Sequence, residues 1–208
     1  MNRVIAMFFS MALAALPLCA QSVDFGLWAV SPELQGDNRI DDASDLEINF
    51  DEEIGWAVTA DIFWTPRLST EVGIYSFSAD GSLDIGGILD DSINLGALDI
   101  VPITLTLRAH FGGERFDFYV GAGGAYATFD DLESDELRLG GVEFIEIDDE
   151  FTWLANAGLS IRLTQSLRLG IDAKWIPLEV TAIDNLGLDE VELELDPLLI
   201  SGGVIFRF

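Results

Sequence analysis

Few side chains in this sequence are suited to chemistry. His110 is the single histidine, so a zinc site would lack the paired nitrogen ligands such sites commonly use. A serine hydrolase needs a serine and an acid beside its histidine. No serine lies within several residues of His110, and Ser160 is the candidate to approach it in space. The simpler expectation is a histidine that lines an interior or an interface, with no catalytic residue. Acidic pairs and triplets recur at Asp41-Asp42, Asp51-Glu52-Glu53, Asp90-Asp91, Asp130-Asp131 and Asp148-Asp149-Glu150. Carboxylates so grouped are hard-oxygen ligands of the kind Ca²⁺ and Mg²⁺ accept, but none has EF-hand spacing. A solvated, self-repelling face explains them equally well. No glycine-rich loop has the form of a phosphate cradle, and no redox or nucleotide cofactor is implied.

The elements that position these residues follow from composition. The chain has 208 residues, 37 acidic against 10 basic, a formal net charge of −27, and yet half its residues are hydrophobic. Its mean hydropathy is +0.33. With 14 Phe and 5 Trp it is too apolar for a disordered polyanion. It is also too acidic for a nucleic-acid partner, which would require clustered Lys and Arg. A chain both greasy and highly charged must segregate the two, as a membrane protein does.

Residues 1–20, MNRVIAMFFSMALAALPLCA, combine a positive Arg3, an apolar stretch and a small residue at the exit. That is the pattern of a secretory signal peptide, removed to leave 21–208. Removal would also take Cys19, the only cysteine, and with it any disulfide. No later stretch approaches the ~18 apolar residues of a membrane helix, so any crossing is by strands.

The periodicity is two. Val101, Ile103, Leu105, Leu107, Ala109 and Phe111 alternate with Pro102, Thr104, Thr106, Arg108 and His110. Residues 54–64 and 151–163 alternate likewise, and 22–30, 69–79, 115–129, 166–178 and 195–208 complete a set of eight strands. Connections alternate between short turns, such as Thr65-Pro66-Arg67-Leu68 and Gly112-Gly113-Glu114, and long segments at 31–53, 80–99, 130–150 and 179–194. Those long segments, the last taken to Asp196, hold 31 of the 37 acids. Arg67, Arg108, Arg115, Arg162, Arg168 and Arg207 gather at the opposite end. Trp56, Trp64, Trp153, Trp175 and Phe111 fall near strand ends, where aromatic girdles form. The expected fold is all-β: an eight-stranded antiparallel transmembrane barrel with short periplasmic turns and long acidic extracellular loops, integral to a Gram-negative outer membrane. Glycines at 121, 123, 124, 202 and 203 suit curvature or close backbone approach.

The segment Val101 to Phe129, VPITLTLRAHFGGERFDFYVGAGGAYATF, resembles the OmpW family of small outer-membrane proteins. Similar features are Val30-Ser31-Pro32, Glu71-Val72-Gly73, Ile171-Asp172-Ala173-Lys174-Trp175-Ile176, and Asp196-Pro197 leading to Arg207-Phe208. Phe118 departs from the proline common in the family at that place. The resemblance implies a narrow, largely hydrophobic interior that passes or binds small hydrophobic molecules without catalysing a reaction. The alternation places Phe63, Tyr75, Phe77, Leu154 and Ile176 on the inner face as an apolar lining. Asp61, Glu71, Asp117, Arg162, Arg168, Asp172 and Lys174 share that face. Eight strands enclose little more than their own side chains, so these charges are expected to pair into a plug at the periplasmic half. A ligand would then enter from outside and leave sideways between strands. The alternative is a non-transporting barrel whose loop clusters, Asp41, Asp42, Asp130, Asp131, Asp148 and Asp149 among them, bind divalent cations, lipopolysaccharide or host surfaces. Expected partners are outer-membrane lipid, lipopolysaccharide, small hydrophobic molecules and the barrel assembly machinery. The oligomeric state stays open.

Overall fold

A computed structural model describes residues 21–34, 46–85, 91–113, 115–129, 145–147, 149–184 and 190–208; the signal-peptide segment lies outside them. Twelve strands follow in order: β1 Ser22–Glu33, β2 Leu46–Glu52, β3 Gly55–Thr65, β4 Leu68–Ile85, β5 Asp91–Gly112 and β6 Phe116–Phe129, then β7 Ile145–Ile147, β8 Glu150–Arg162, β9 Leu167–Trp175, β10 Glu179–Asp184, β11 Glu190–Glu194 and β12 Leu198–Arg207. Eight of them close an antiparallel ring in the order β1-β3-β4-β5-β6-β8-β9-β12. The first and last staves complete it, from Asp24↔Arg207 to Glu33↔Leu198. At that seam Arg207 donates from Nε and Nη2 to the two carboxylate oxygens of Asp24, each at 2.6 Å.

The segments expected as long loops carry strands of their own. β4 and β5 run on as one hairpin to Ile85↔Asp91, and β2 pairs with the extension of β4. β10 pairs with both β11 and β7 in a separate three-stranded sheet. The physical reason lies in sequences such as Glu190-Val191-Glu192-Leu193-Glu194: acids placed at every second position keep a strand's alternation while adding charge.

Alternation sets the two faces of the ring. On β5, Leu105, Leu107 and Phe111 are exposed while Thr104, Thr106, Arg108 and His110 are buried. On β9, Leu169 and Ile171 point out while Arg168, Asp172 and Lys174 point in. Exposed leucines around buried lysine and arginine invert a soluble protein and suit a surface solvated by lipid. Trp56, Trp64, Trp153, Trp175 and Phe111 all lie exposed on this outer face. Trp153 and Trp175 meet edge to face at 5.0 Å. The fifth tryptophan, Trp28, is turned inward and donates to Thr59 Oγ1 at 2.9 Å.

Glycine is required where neighbouring backbone leaves no room for a side chain. A Cβ on Gly123 would lie 1.9 Å from the Leu105 carbonyl oxygen, whereas one on Gly202 would meet nothing within 4 Å. Gly123→Val should therefore prevent refolding, read as loss of the heat-dependent gel shift of a folded barrel, while Gly202→Ala should refold as wild type.

Candidate functional site

The interior divides along the barrel axis because several staves change their inward residues from apolar to polar towards the turns. Near the loop end, Val30, Tyr75, Phe77, Leu98, Ile100, Leu154, Ile176, Leu178, Leu195 and Leu199 belong to one buried apolar cluster. Towards the turns, Ala57 on β3 gives way to Thr59 and Asp61, Tyr75 on β4 to Glu71 and Ser69, and Leu154 on β8 to Asn156 and Ser160. Four of the five expected apolar lining residues, Tyr75, Phe77, Leu154 and Ile176, meet in this loop-end cluster. Phe63 does not join them. It lies at the turn end, its ring 4.8 Å from that of His110 and 4.8 Å from the Arg207 guanidinium.

Below the apolar cluster stands a network of buried charges with Arg108 at its centre. Its guanidinium contacts Asp61 at 2.8 Å, Asp172 at 3.3 Å and the Glu71 carboxylate, and lies 4.4 Å over the Tyr119 ring. Lys174 completes Glu71 at 2.9 Å. Asp172 further accepts from the Tyr119 hydroxyl at 2.8 Å and from Asn156 Nδ2 at 2.9 Å. Arg108, Glu71, Asp172 and Lys174 are each at least 97% buried. A charge so desolvated persists only with opposite charge and hydrogen bonds around it.

A second tier lies nearer the turns. Arg168 reaches Asp117 at 3.5 Å and the Ser160 hydroxyl at 3.3 Å. His110 Nδ1 lies 3.0 Å from Asp117 and Nε2 lies 2.8 Å from the Ser69 hydroxyl. Ser160, expected as the serine nearest His110, is thus engaged by Arg168, and Ser69 takes that place. Serine, histidine and aspartate in series have the form of a nucleophilic triad. Two features oppose that use. The Ser69 hydroxyl also donates to Asp61 at 2.9 Å, and Ser69 is fully buried with its backbone paired to β3 and β5 on either side. Backbone held in a ladder on both sides directs the Ser69 amide to a neighbouring strand and not to an oxyanion.

The residues expected to form a charge plug are thus brought together only in part. Asp61, Glu71, Asp117, Arg168, Asp172 and Lys174 join the network; Arg162 does not. Arg162 sits opposite Arg168 in the β8–β9 register, and repulsion between adjacent like charges leaves it half-buried at the rim. Arg108, His110, Tyr119 and the Asp24–Arg207 pair were missing from the expected set. The alternation already placed Arg108 and His110 in the inward phase of residues 101–111, which was signal enough to include them. Among the proposed loop clusters, Asp41, Asp42, Asp130, Asp131 and Asp148 lie outside the described residues. Asp149 accepts from the exposed Tyr126 hydroxyl at 2.8 Å. Among the described residues no group of three or more His, Cys, Asp or Glu is arranged to hold a metal.

Arg108→Ala would take the shared cation from three carboxylates inside the barrel and should cost about 3–5 kcal/mol of stability. It should also raise ion conductance in planar bilayers, whereas Arg162→Ala should change neither. Ser69 should stay unlabelled by a fluorophosphonate probe in the folded barrel; labelling lost in Ser69→Ala would establish a working nucleophile instead.

Comparison with known proteins agrees with this architecture. The OmpW family model matches residues 26–208. Outer membrane protein W of Vibrio cholerae is 28% identical, over 94% of both chains. The crystal structure of the outer membrane protein OprG from Pseudomonas aeruginosa superposes with a TM-score of 0.74 at 19% identity, covering 90% of this chain and 94% of that one. The outer membrane protein AlkL, solved in lipid bilayers, superposes with a TM-score of 0.66 at 18% identity over 92% of each chain. With a closed ring of eight lipid-facing staves and a family match over nearly its whole length, the chain belongs to the OmpW family and is an integral β-barrel of the outer membrane.

Proposed function

We propose that this barrel gives small hydrophobic molecules a passive route into the outer membrane, entering a chamber that opens within the loop-end apolar cluster and leaving sideways through the wall, and that it catalyses no reaction. The chamber supplies an apolar solvent for such a molecule. The charge network beneath it stands across the straight path to the periplasm, because a desolvated apolar solute gains nothing by replacing buried ion pairs.

The observation that carries the sideways route is a break in the wall beside the chamber. The β4–β5 ladder pairs Ile74 with Ile103 and resumes at Phe77 with Ile100, leaving Tyr75 and Ser76 unpaired with Pro102 and Val101. Proline has no N–H to donate to a ladder. Tyr75, Phe77 and Ile100, which flank this interruption, all belong to the apolar cluster. The ladder thus lacks bridges beside the apolar cluster.

The test is uptake of an apolar fluorophore into the bilayer of proteoliposomes. Wild type should speed uptake over protein-free vesicles while passing little ion current. Pro102→Val, which restores a donor to the ladder, should slow uptake several-fold with the barrel still folded. Uptake no faster than in protein-free vesicles would overturn the proposal.

A further inference from the structure

The turn end of the barrel gathers like charge. Arg162 on β8 stands directly opposite Arg168 on β9. Both lie on the inward face, Arg168 buried and Arg162 two residues beyond the buried Ser160. Side chains so placed are about 5 Å apart at Cβ. On its other side Arg168 pairs with Ile205, two residues before Arg207, which makes Arg207 its diagonal neighbour on the same face. Arg115 adjoins the row from the turn before β6. Its carbonyl accepts from the Arg162 amide at 2.9 Å, and its exposed guanidinium lies 5.9 Å over the Phe116 ring.

The acids that answer these arginines among the described residues are Asp24 and Asp117, and both are already engaged. Arg207 takes the two carboxylate oxygens of Asp24, each at 2.6 Å. Asp117 Oδ2 is shared between His110 at 3.0 Å and Arg168 at 3.5 Å. Arg168 bonds Asp117 and Ser160 through Nη1 alone. The Arg162 side chain has no hydrogen-bond or ion-pair partner among the described residues. Like charges directly opposite in a sheet destabilise it, so two facing guanidinium groups with donors to spare call for an anion from outside.

We infer that the periplasmic mouth binds a phosphate group, held between Arg162 and Arg168 with Arg115 beside it. A guanidinium presents its N–H groups as a planar fork that matches two oxygens of an oxyanion. Asp24 shows the limit of a carboxylate in that role, since one fork consumes both of its oxygens. A phosphate ion or monoester has a further terminal oxygen and close to two negative charges. It therefore serves two facing forks at once and offsets both cations. Inorganic phosphate carries this group, and so does the head of a phospholipid in the inner leaflet, beside the rim where Phe116 and Leu163 are exposed.

The barrel refolded in decyl maltoside, a detergent without phosphate, is titrated calorimetrically with inorganic phosphate, dioctanoyl phosphatidate and acetate at constant ionic strength, with protein-free micelles as the blank. One or both phosphate probes should bind saturably, about tenfold more tightly than acetate. Arg162→Gln should weaken that binding about tenfold, whereas Arg67→Gln, in the turn between β3 and β4, should leave it unchanged. Without phosphate the Arg162 variant should melt as wild type does. Arg162→Lys keeps the charge and loses the fork; it should weaken binding about threefold and replaces the glutamine variant if that one fails to fold. Binding of inorganic phosphate would identify a soluble ligand, and binding of phosphatidate alone a lipid head. No saturable binding of either probe would overturn the site. So would binding unchanged in the folded Arg162 variants, or acetate bound as tightly as phosphate.

Discussion

A strand in hydrocarbon must find a backbone partner on each side, because no water is there to supply one. The rest of this structure follows from that requirement. It demands closure, so the first and last staves pair, and the seam between β1 and β12 is held at its turn end by the two-pronged contact of Arg207 with Asp24. Closure at eight staves makes the interior narrow. Narrowness in turn forces every inward charge to find its counter-charge across the lumen.

Arg108 is where those demands converge. Asp61, Glu71 and Asp172 come from β3, β4 and β9, and all reach a guanidinium on β5. One side chain thereby ties four staves together across the interior. The polar tier it organises occupies the turn half, which leaves the loop half to a cluster of apolar side chains. The one interruption of the β4–β5 ladder alongside that cluster falls at Pro102, a residue that cannot complete it. The buried apolar cluster and this gap in the ladder therefore lie side by side.

The triad-like series at Ser69, His110 and Asp117 shows why proximity alone does not define chemistry. Its distances are those of an active site. Its setting differs: the serine hydroxyl is already engaged by Asp61, and the serine itself is paired to a strand on either side. In this barrel the series extends the ionic floor towards the periplasmic turns.

By itself, the sequence determined the class of fold, the number of staves, their faces and the direction of charge along the axis. Those properties depend on alternation and on the order of short and long connections, both local to the chain. Tyr75, Phe77, Leu154 and Ile176 were assignable to the interior on the same ground, as were the plug's carboxylates. Only the tertiary structure decided who meets whom. Ser69 and His110 lie 41 residues apart, and Lys174 and Glu71 lie 103 apart; register and shear around a closed ring bring them level. The same geometry moved Phe63 out of the apolar cluster, set Arg162 beside Arg168 and put Arg108 at the hub. Alternation states which side of a strand a residue faces, but its height and its neighbours across the lumen exist only once the ring has closed.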